Sequence, residues 1–265
     1  RLNTFRAFVD NDNQWGRWLR NDYFESGLTQ MGYHVRPLVV TRQDDSTVTV
    51  TATVEACGFK SGRFTHVAEY RVSGDGTIRV RNTVTPAGKL PVLPRMGVRL
   101  MLDGALEQMA YYGRGPWENY VDRNSGSDIG FYTSTVTEQY VPYVRPQECG
   151  GKSDVRWVAF TDRSGRGVHI TFPKPFFVTA LHYTSEDLEG ARHRNGMERI
   201  YNPLRPRPEV CLALDVGQTG LGGASCGPIP LEKYILRAQP FDYTYILRPC
   251  SDSSHEALSA LARER

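Results

Sequence analysis

The chain of 265 residues carries 32 basic against 29 acidic side chains, and this net charge of +3 gives no electrostatic footprint for nucleic acid. Hydrophobic residues make up 40% and charged residues 23%, ordinary proportions for a chain that can bury a core. No apolar run approaches the roughly 20 residues that cross a bilayer as a helix. The five cysteines, Cys57, Cys149, Cys211, Cys226 and Cys250, contain no CxxC pair. They read as mostly free and buried, with one disulfide left open and zinc disfavoured.

In chain order, Arg1 to Asn11 contains no signal-like apolar stretch, and Leu2, Phe5, Phe8 and Val9 are core-like from the outset. This reads as a piece of a longer protein, and its N-terminus gives no compartment. Asn11 to Trp18 is a polar, glycine-containing loop, in which Trp15 and Trp18 are harder to explain by packing than Trp117 and Trp157. Ser46 to Ala56 alternates β-branched and small residues with the period of a half-buried strand. Phe64–Val72 and Thr77–Val84 flank Gly74-Asp75-Gly76, a hairpin signal. Thr85 to Pro94 is the one internal seam, though a single domain over 1–249 is the simpler organisation.

Further strands are expected at Val155–Thr161 and Val168–Phe172, around a glycine-containing turn. Phe177–Tyr183, Val210–Asp215, Tyr234–Ala238 and Phe241–Leu247 add four more. So many strands with Gly, Pro and Asp turns predict an all-β sandwich. Helix is confined to one or two turns at Thr184–Glu189 and to the polar tail, 250–265. In that tail Ser253 and Glu256 stand at capping-box spacing.

The densest polar stretch is Tyr111 to Arg123, YYGRGPWENYVDR. Its glycines and proline predict a shaped loop. Glu118 with Asp122, or Glu148 with Asp154, would make a glycosidase pair only through tertiary proximity. Arg114 and Arg123 lie beside the first pair, and a neighbouring guanidinium holds a carboxylate ionised, the opposite of what a general acid needs. Arg114, Glu118, Asn119, Asp122 and Arg123 therefore read as a structural network satisfying one another and nearby backbone. There is no GxSxG elbow, no HExxH and no phosphate loop; Gly220-Leu221-Gly222-Gly223 fits none of these. His182 and His193 flank the short helix but make a weak case for a metal.

Several segments, in order, resemble the C-terminal domain of lac-operon-type β-galactosidases of glycoside hydrolase family 2. They are Arg6-Ala7-Phe8-Val9-Asp10-Asn11-Asp12, Leu93-Pro94-Arg95-Met96-Gly97, Gly113 to Arg123, Tyr143 to Gly150, Asp154-Val155-Arg156-Trp157, His182 to Leu188 and Gly220 to Gly223. The resemblance implies a β-supersandwich of the galactose-mutarotase-like kind and places the catalytic acid and nucleophile on a barrel domain outside this chain. It implies no catalytic residue, metal or cofactor here, with Mg and Na at sites on other domains of the parent enzyme. The domain's implied role is to pack on its own catalytic barrel, complete one wall of the galactoside pocket and join in homo-oligomer assembly, with no nucleic-acid or membrane partner.

Two segments carry that implied role. One is the loop from about Asn13 to Arg20, with Asn13, Trp15, Arg17 and Trp18 as sugar-side contacts. The other is Cys211, where the family's best-studied member carries a tryptophan platform; a cysteine offers less stacking surface, and a buried packing role is the equal alternative. Two other readings stay open: a stand-alone carbohydrate-binding module, and a sugar mutarotase using His182 with Glu186, or His169.

Overall fold

The structure is a computed structural model and describes residues 1–13, 18–60, 62–191 and 204–263. Its centre is one long strand, β11 (Gly167–Leu181), which carries the sequence Thr171-Phe172-Pro173-Lys174-Pro175-Phe176 in its middle. Proline has no N–H to give to a ladder. The first half of β11, Gly167 to Thr171, pairs with β13 (Phe241–Cys250), and the second half, Phe177 to Leu181, pairs with β12 (Val210–Gln218). On its other side β11 pairs with β10 (Lys152–Thr161), whose register shifts twice between Lys152 and Trp157. Sequence periodicity predicts two strands here, 168–172 and 177–183; the chain keeps them as one strand that changes partners across the two prolines.

From this hub a 13-stranded sheet extends both ways. One arm runs from β12 to β7 (Arg95–Leu102) and the short β1 (Leu2–Asn3). The other runs from β13 through β6 (Ile78–Ala87) and β5 (Arg63–Ser73) to β4 (Thr47–Cys57). Strands β2 (Gly32–Val35) and β3 (Val39–Arg42) pair with β4. Beyond β10 lie β8 (Gln108–Gly115) and β9 (Asp128–Thr135). The core brings Val98, Leu212 and Leu214 of one arm together with Phe64, Val80 and Val84 of the other, so the sheet folds over on itself. Burying such side chains is worth roughly 1.5–3 kcal/mol each. The all-β expectation holds, in sandwich-like form.

Among the described residues the α-helices are short: α1 (Asp10–Asn13), α2 (Arg20–Glu25), α3 (Ser185–Gly190) and α4 (His255–Leu261). Thr184 caps α3 with a reciprocal bond from Asp187, as its sequence predicts. At α4 the cap is Ser254 rather than Ser253, its side chain accepting from Ala257 N–H. Leu258 seats this helix on Ala110, Trp157 and Ala159, on a second apolar cluster. Tyr234–Ala238 is not a strand: a 3-10 turn, Glu232–Tyr234, occupies its start, and Leu236 N–H is taken by the Thr219 hydroxyl. Strands β1, β2, β3, β7, β8 and β9 are additional to the periodic signals. In β8 Gly113, Arg114 and Gly115 disguise the pattern, and Gly115 is required because a Cβ there would lie 2.2 Å from the Tyr111 hydroxyl.

Candidate functional site

The stretch Tyr111 to Arg123 is half strand and half corner. Tyr111 to Gly115 belong to β8, and the chain then turns through Pro116 to Tyr120 and Arg123, which bond to each other's backbone. Asn119, fully buried, ties the corner together. Its Nδ2 donates to the carbonyls of Arg114 and Trp117, each at 3.0 Å, and its Oδ1 accepts from Ser153 N–H at 2.9 Å. The charged residues do not satisfy one another as a closed set. Arg123 pairs with Glu118, but Arg114 reaches Asp154 at 2.5 Å and the Ser127 carbonyl at 2.8 Å. Asp122 accepts from Gly222 N–H at 2.7 Å. Each side chain thus ties the corner to a different segment. Glu118 also accepts from the Tyr143 hydroxyl and from Gly150 N–H. Glu118→Ala is expected to lower the unfolding free energy by about 1–3 kcal/mol, because Arg123, Tyr143 and Gly150 all lose their acceptor. Urea unfolding measures this, and an unchanged midpoint contradicts it.

The backbone at Thr219 to Gly222 is held from three sides by residues far apart in sequence. Arg6, with no exposed surface, donates to the Thr219 carbonyl and, at 3.1 Å, to both carboxylate oxygens of buried Asp12. Asn11 Nδ2 donates to the Leu221 carbonyl at 2.7 Å. The Asp122 bond to Gly222 N–H closes the set. The sequence segments 6–12, 113–123 and 220–223 therefore meet at one loop. Beside that loop lies a cleft of about 380 Å³ lined by Asp10, Asn11, Arg123, Tyr143, Gln147 and Glu148, together with Val9, Leu221 and Gly222.

Behind the cleft is a buried charge cluster. Arg95, 1% exposed, donates two bonds to Asp215 at 2.7 and 2.9 Å and one to Thr179 at 3.2 Å. Glu148 approaches Arg95 at 3.4 Å, and Gln218 Nε2 reaches Asp215 at 3.2 Å. Two carboxylates share one guanidinium inside the protein. Burial pushes the Asp215 carboxyl up to about 6 against the pull of Arg95. On the neighbouring strand, a side chain at Gly97 would place its Cβ 2.1 Å from the Leu214 carbonyl and 2.5 Å from Asp215 Oδ1.

The sequence-predicted contacts lie as follows. Asn13 ends α1 and spends its amide on the carbonyls of Val9 and Phe8, at 2.9 and 3.4 Å. Trp15, Arg17 and His193 lie outside the described residues. Trp18 is half-buried against the main core. Trp157 is a core residue, whereas Trp117 on the corner is 77% exposed. Cys211 is buried on β12 between Leu181 and Met101 of the adjacent strands. Burial pushes its thiol up to about 11.

The mutarotase pair is not formed. His182 Nε2 lies 2.8 Å from Glu107, while Glu186 is taken by Arg1 and Arg99. His169 has no exposed surface. The cysteine expectation is met for Cys149, Cys211 and Cys250, which are buried; Cys57 and Cys226 are exposed. Sequence reasoning missed the cleft, because Asp10, Tyr143 and Leu221 meet only through the fold.

The folded-over sheet, with distant segments meeting at one loop, defines a sandwich-like all-β domain. The family model for the β-galactosidase small chain matches residues 1–247, and the chain belongs to that family. It is 32% identical over 227 residues to a β-galactosidase of Priestia megaterium, covering 84% of this chain and 20% of that protein. It is 30% identical over 257 residues to the β-galactosidase BgaC of Bifidobacterium adolescentis, covering 93% and 23%. The chain thus spans about a fifth to a quarter of the length of these curated relatives. Among solved structures, a galactose 1-epimerase from Lactobacillus acidophilus is similar at a TM-score of 0.41 and 8% identity, over 83% of this chain and 66% of that chain. A GalM/aldose epimerase homologue from C. elegans is similar at a TM-score of 0.38 and 12% identity, over 82% and 70%.

Proposed function

We propose that this chain is the accessory C-terminal domain of a retaining β-galactosidase, inactive alone. It packs on a catalytic barrel outside this sequence, completes one wall of the galactoside pocket and takes part in homo-oligomer assembly. The observation that carries this reading is the family match along almost the whole chain, set against its small share of the relatives' length. The fate of the candidate carboxylates supports it. Glu118 is committed to Arg123 and Tyr143, Asp122 to Gly222 N–H, Asp154 to Arg114 and Glu148 to Arg95. A retaining pair needs two carboxyl groups facing one bond, roughly 5–5.5 Å apart, with one held protonated. Segment 13–20, with Asn13, Trp15, Arg17 and Trp18, would form the pocket wall, with Cys211 as a second element. The purified chain is expected not to hydrolyse a chromogenic β-galactoside, and to raise turnover when added to the separately produced remainder of such an enzyme. Turnover by the chain alone refutes the reading.

A further inference from the structure

We propose that the tail helix α4 is a proton-released cover: when His169 beneath it takes up a proton, the helix undocks while the sheet stays folded. The sheet prepares the seat. Ala110 of β8, Ala159 of β10, His169 of β11 and Arg248 of β13 stand opposite one another in register, and such residues share one face. The two alanines leave room that Leu258 fills, and Leu258 is the one buried side chain of α4. His169 has no exposed surface; its Nδ1 lies 3.3 Å from the Thr171 hydroxyl, and its Nε2 has no hydrogen-bond partner. The Trp157 ring lies 5.1 Å from its own, and the Leu258 backbone lies beside it.

A charge on this ring would have neither water nor a carboxylate to meet it. From β13 come Arg248 and Cys250, while β8 and β10 bring Ala110, Ala159 and Trp157. The helix itself brings His255, which stacks on Phe131 at 4.0 Å, and an exposed Glu256. Asp162 and Arg163 lie further along, lining a gap of about 380 Å³ beside Leu258 and Ser253. Burial and then Arg248 hold the imidazole at about 4, outweighing the Leu258 backbone, which favours the charged form. Little holds the helix down in return. Seven residues do not persist as a helix alone, so α4 exists through its docking. Leu258, with Leu261 and Ala262 beside it and the His255 stack, supplies its apolar anchorage. With the helix lifted, His169 meets water and titrates nearer the ordinary 6.5. The docked form prefers the neutral ring, so docking is full above about pH 6.5 and weakens as pH falls toward 4. Linkage of this size raises the undocked share by roughly tenfold or more between pH 7.5 and pH 5.

Hydrogen exchange of the 265-residue chain tests this, read as protection of the α4 amides at pH 7.5 and pH 5 after correction for intrinsic rates. At both values these amides are expected to be less protected than those of β11, as a local opening requires. In the wild type their protection is expected to drop by roughly tenfold or more at pH 5, and in His169→Phe to stay within about threefold. Should His169→Phe fail to fold by circular dichroism, His169→Gln takes its place. An undiminished protection in the wild type overturns the proposal, as does an equal drop in the folded His169 variant. A drop abolished in His255→Phe but kept in the His169 variant names the other histidine and overturns it as well. Equal protection of α4 and β11 at both pH values also overturns it, since the helix then opens only with the whole fold.

Discussion

Arg95→Met is expected to lower the unfolding free energy by about 3–5 kcal/mol, the cost of stranding buried charge once its partner is removed. Arg95 is the cation given for both Asp215 and Glu148, and all three side chains are at most 2% exposed. The pair's own net worth is not what the substitution reads, since the desolvation of two carboxylates offsets much of the attraction they recover from Arg95. The loss comes from leaving the acids without it. Adding Asp215→Asn to Arg95→Met is therefore expected to restore part of the loss, as one stranded charge becomes a neutral amide. Urea unfolding of the wild type and the two variants checks this. A single variant within about 1 kcal/mol of wild type would show that the cluster relaxes to admit water.

The second large effect is on pH dependence. His169 is fully buried, with Nε2 unpartnered and its ring 5.1 Å from that of Trp157. Burial, reinforced by the nearby Arg248 charge, lowers its imidazole from 6.5 to about 4. In the unfolded chain a histidine takes its proton near pH 6.5, so between that pH and 4 the unfolded state binds the extra proton. Stability present above about pH 6.5 is lost as pH falls toward 4, by about 3 kcal/mol for a shift of this size. His169→Phe keeps a ring against Trp157 and removes the titration. The wild type is expected to lose that much more than the variant between pH 7 and pH 4 in urea unfolding. Parallel pH profiles would mean that His169 is protonated in place. The comparison is made between the two proteins because buried His66 is lowered by the same cause.

A tail helix that packs over the sheet bears on the same residue. Leu258 closes the apolar cluster around Trp157, and His255 stacks on Phe131 with ring centroids 4.0 Å apart. The family match ends at residue 247, so this cover is built from sequence outside the matched region. Capping residues mark the helix in the sequence, and Leu258, with Leu261 and Ala262 beside it, seats that helix on the cluster.

Local chemistry was legible in the sequence. The period-two alternation of Ser46–Ala56 and the Asp-Gly turn at 74–76 were sufficient for β4, β5 and β6, because strand period and turn geometry are set by neighbours in the chain. The capped turn at Thr184 was legible for the same reason. The order of the motifs also pointed to the family before any coordinate was known. Tertiary structure alone decided which strand crosses between sheet partners, since the prolines at 173 and 175 mark a break but not its continuation. It decided that Arg114 reaches Asp154, 40 positions along the chain, and not the carboxylates beside it. It likewise decided that Arg6, Asn11 and Asp122 hold one loop and frame one cleft. Hydrogen-bond partners more than a few residues apart are chosen by where the sheet delivers them, and residue type and spacing do not encode that.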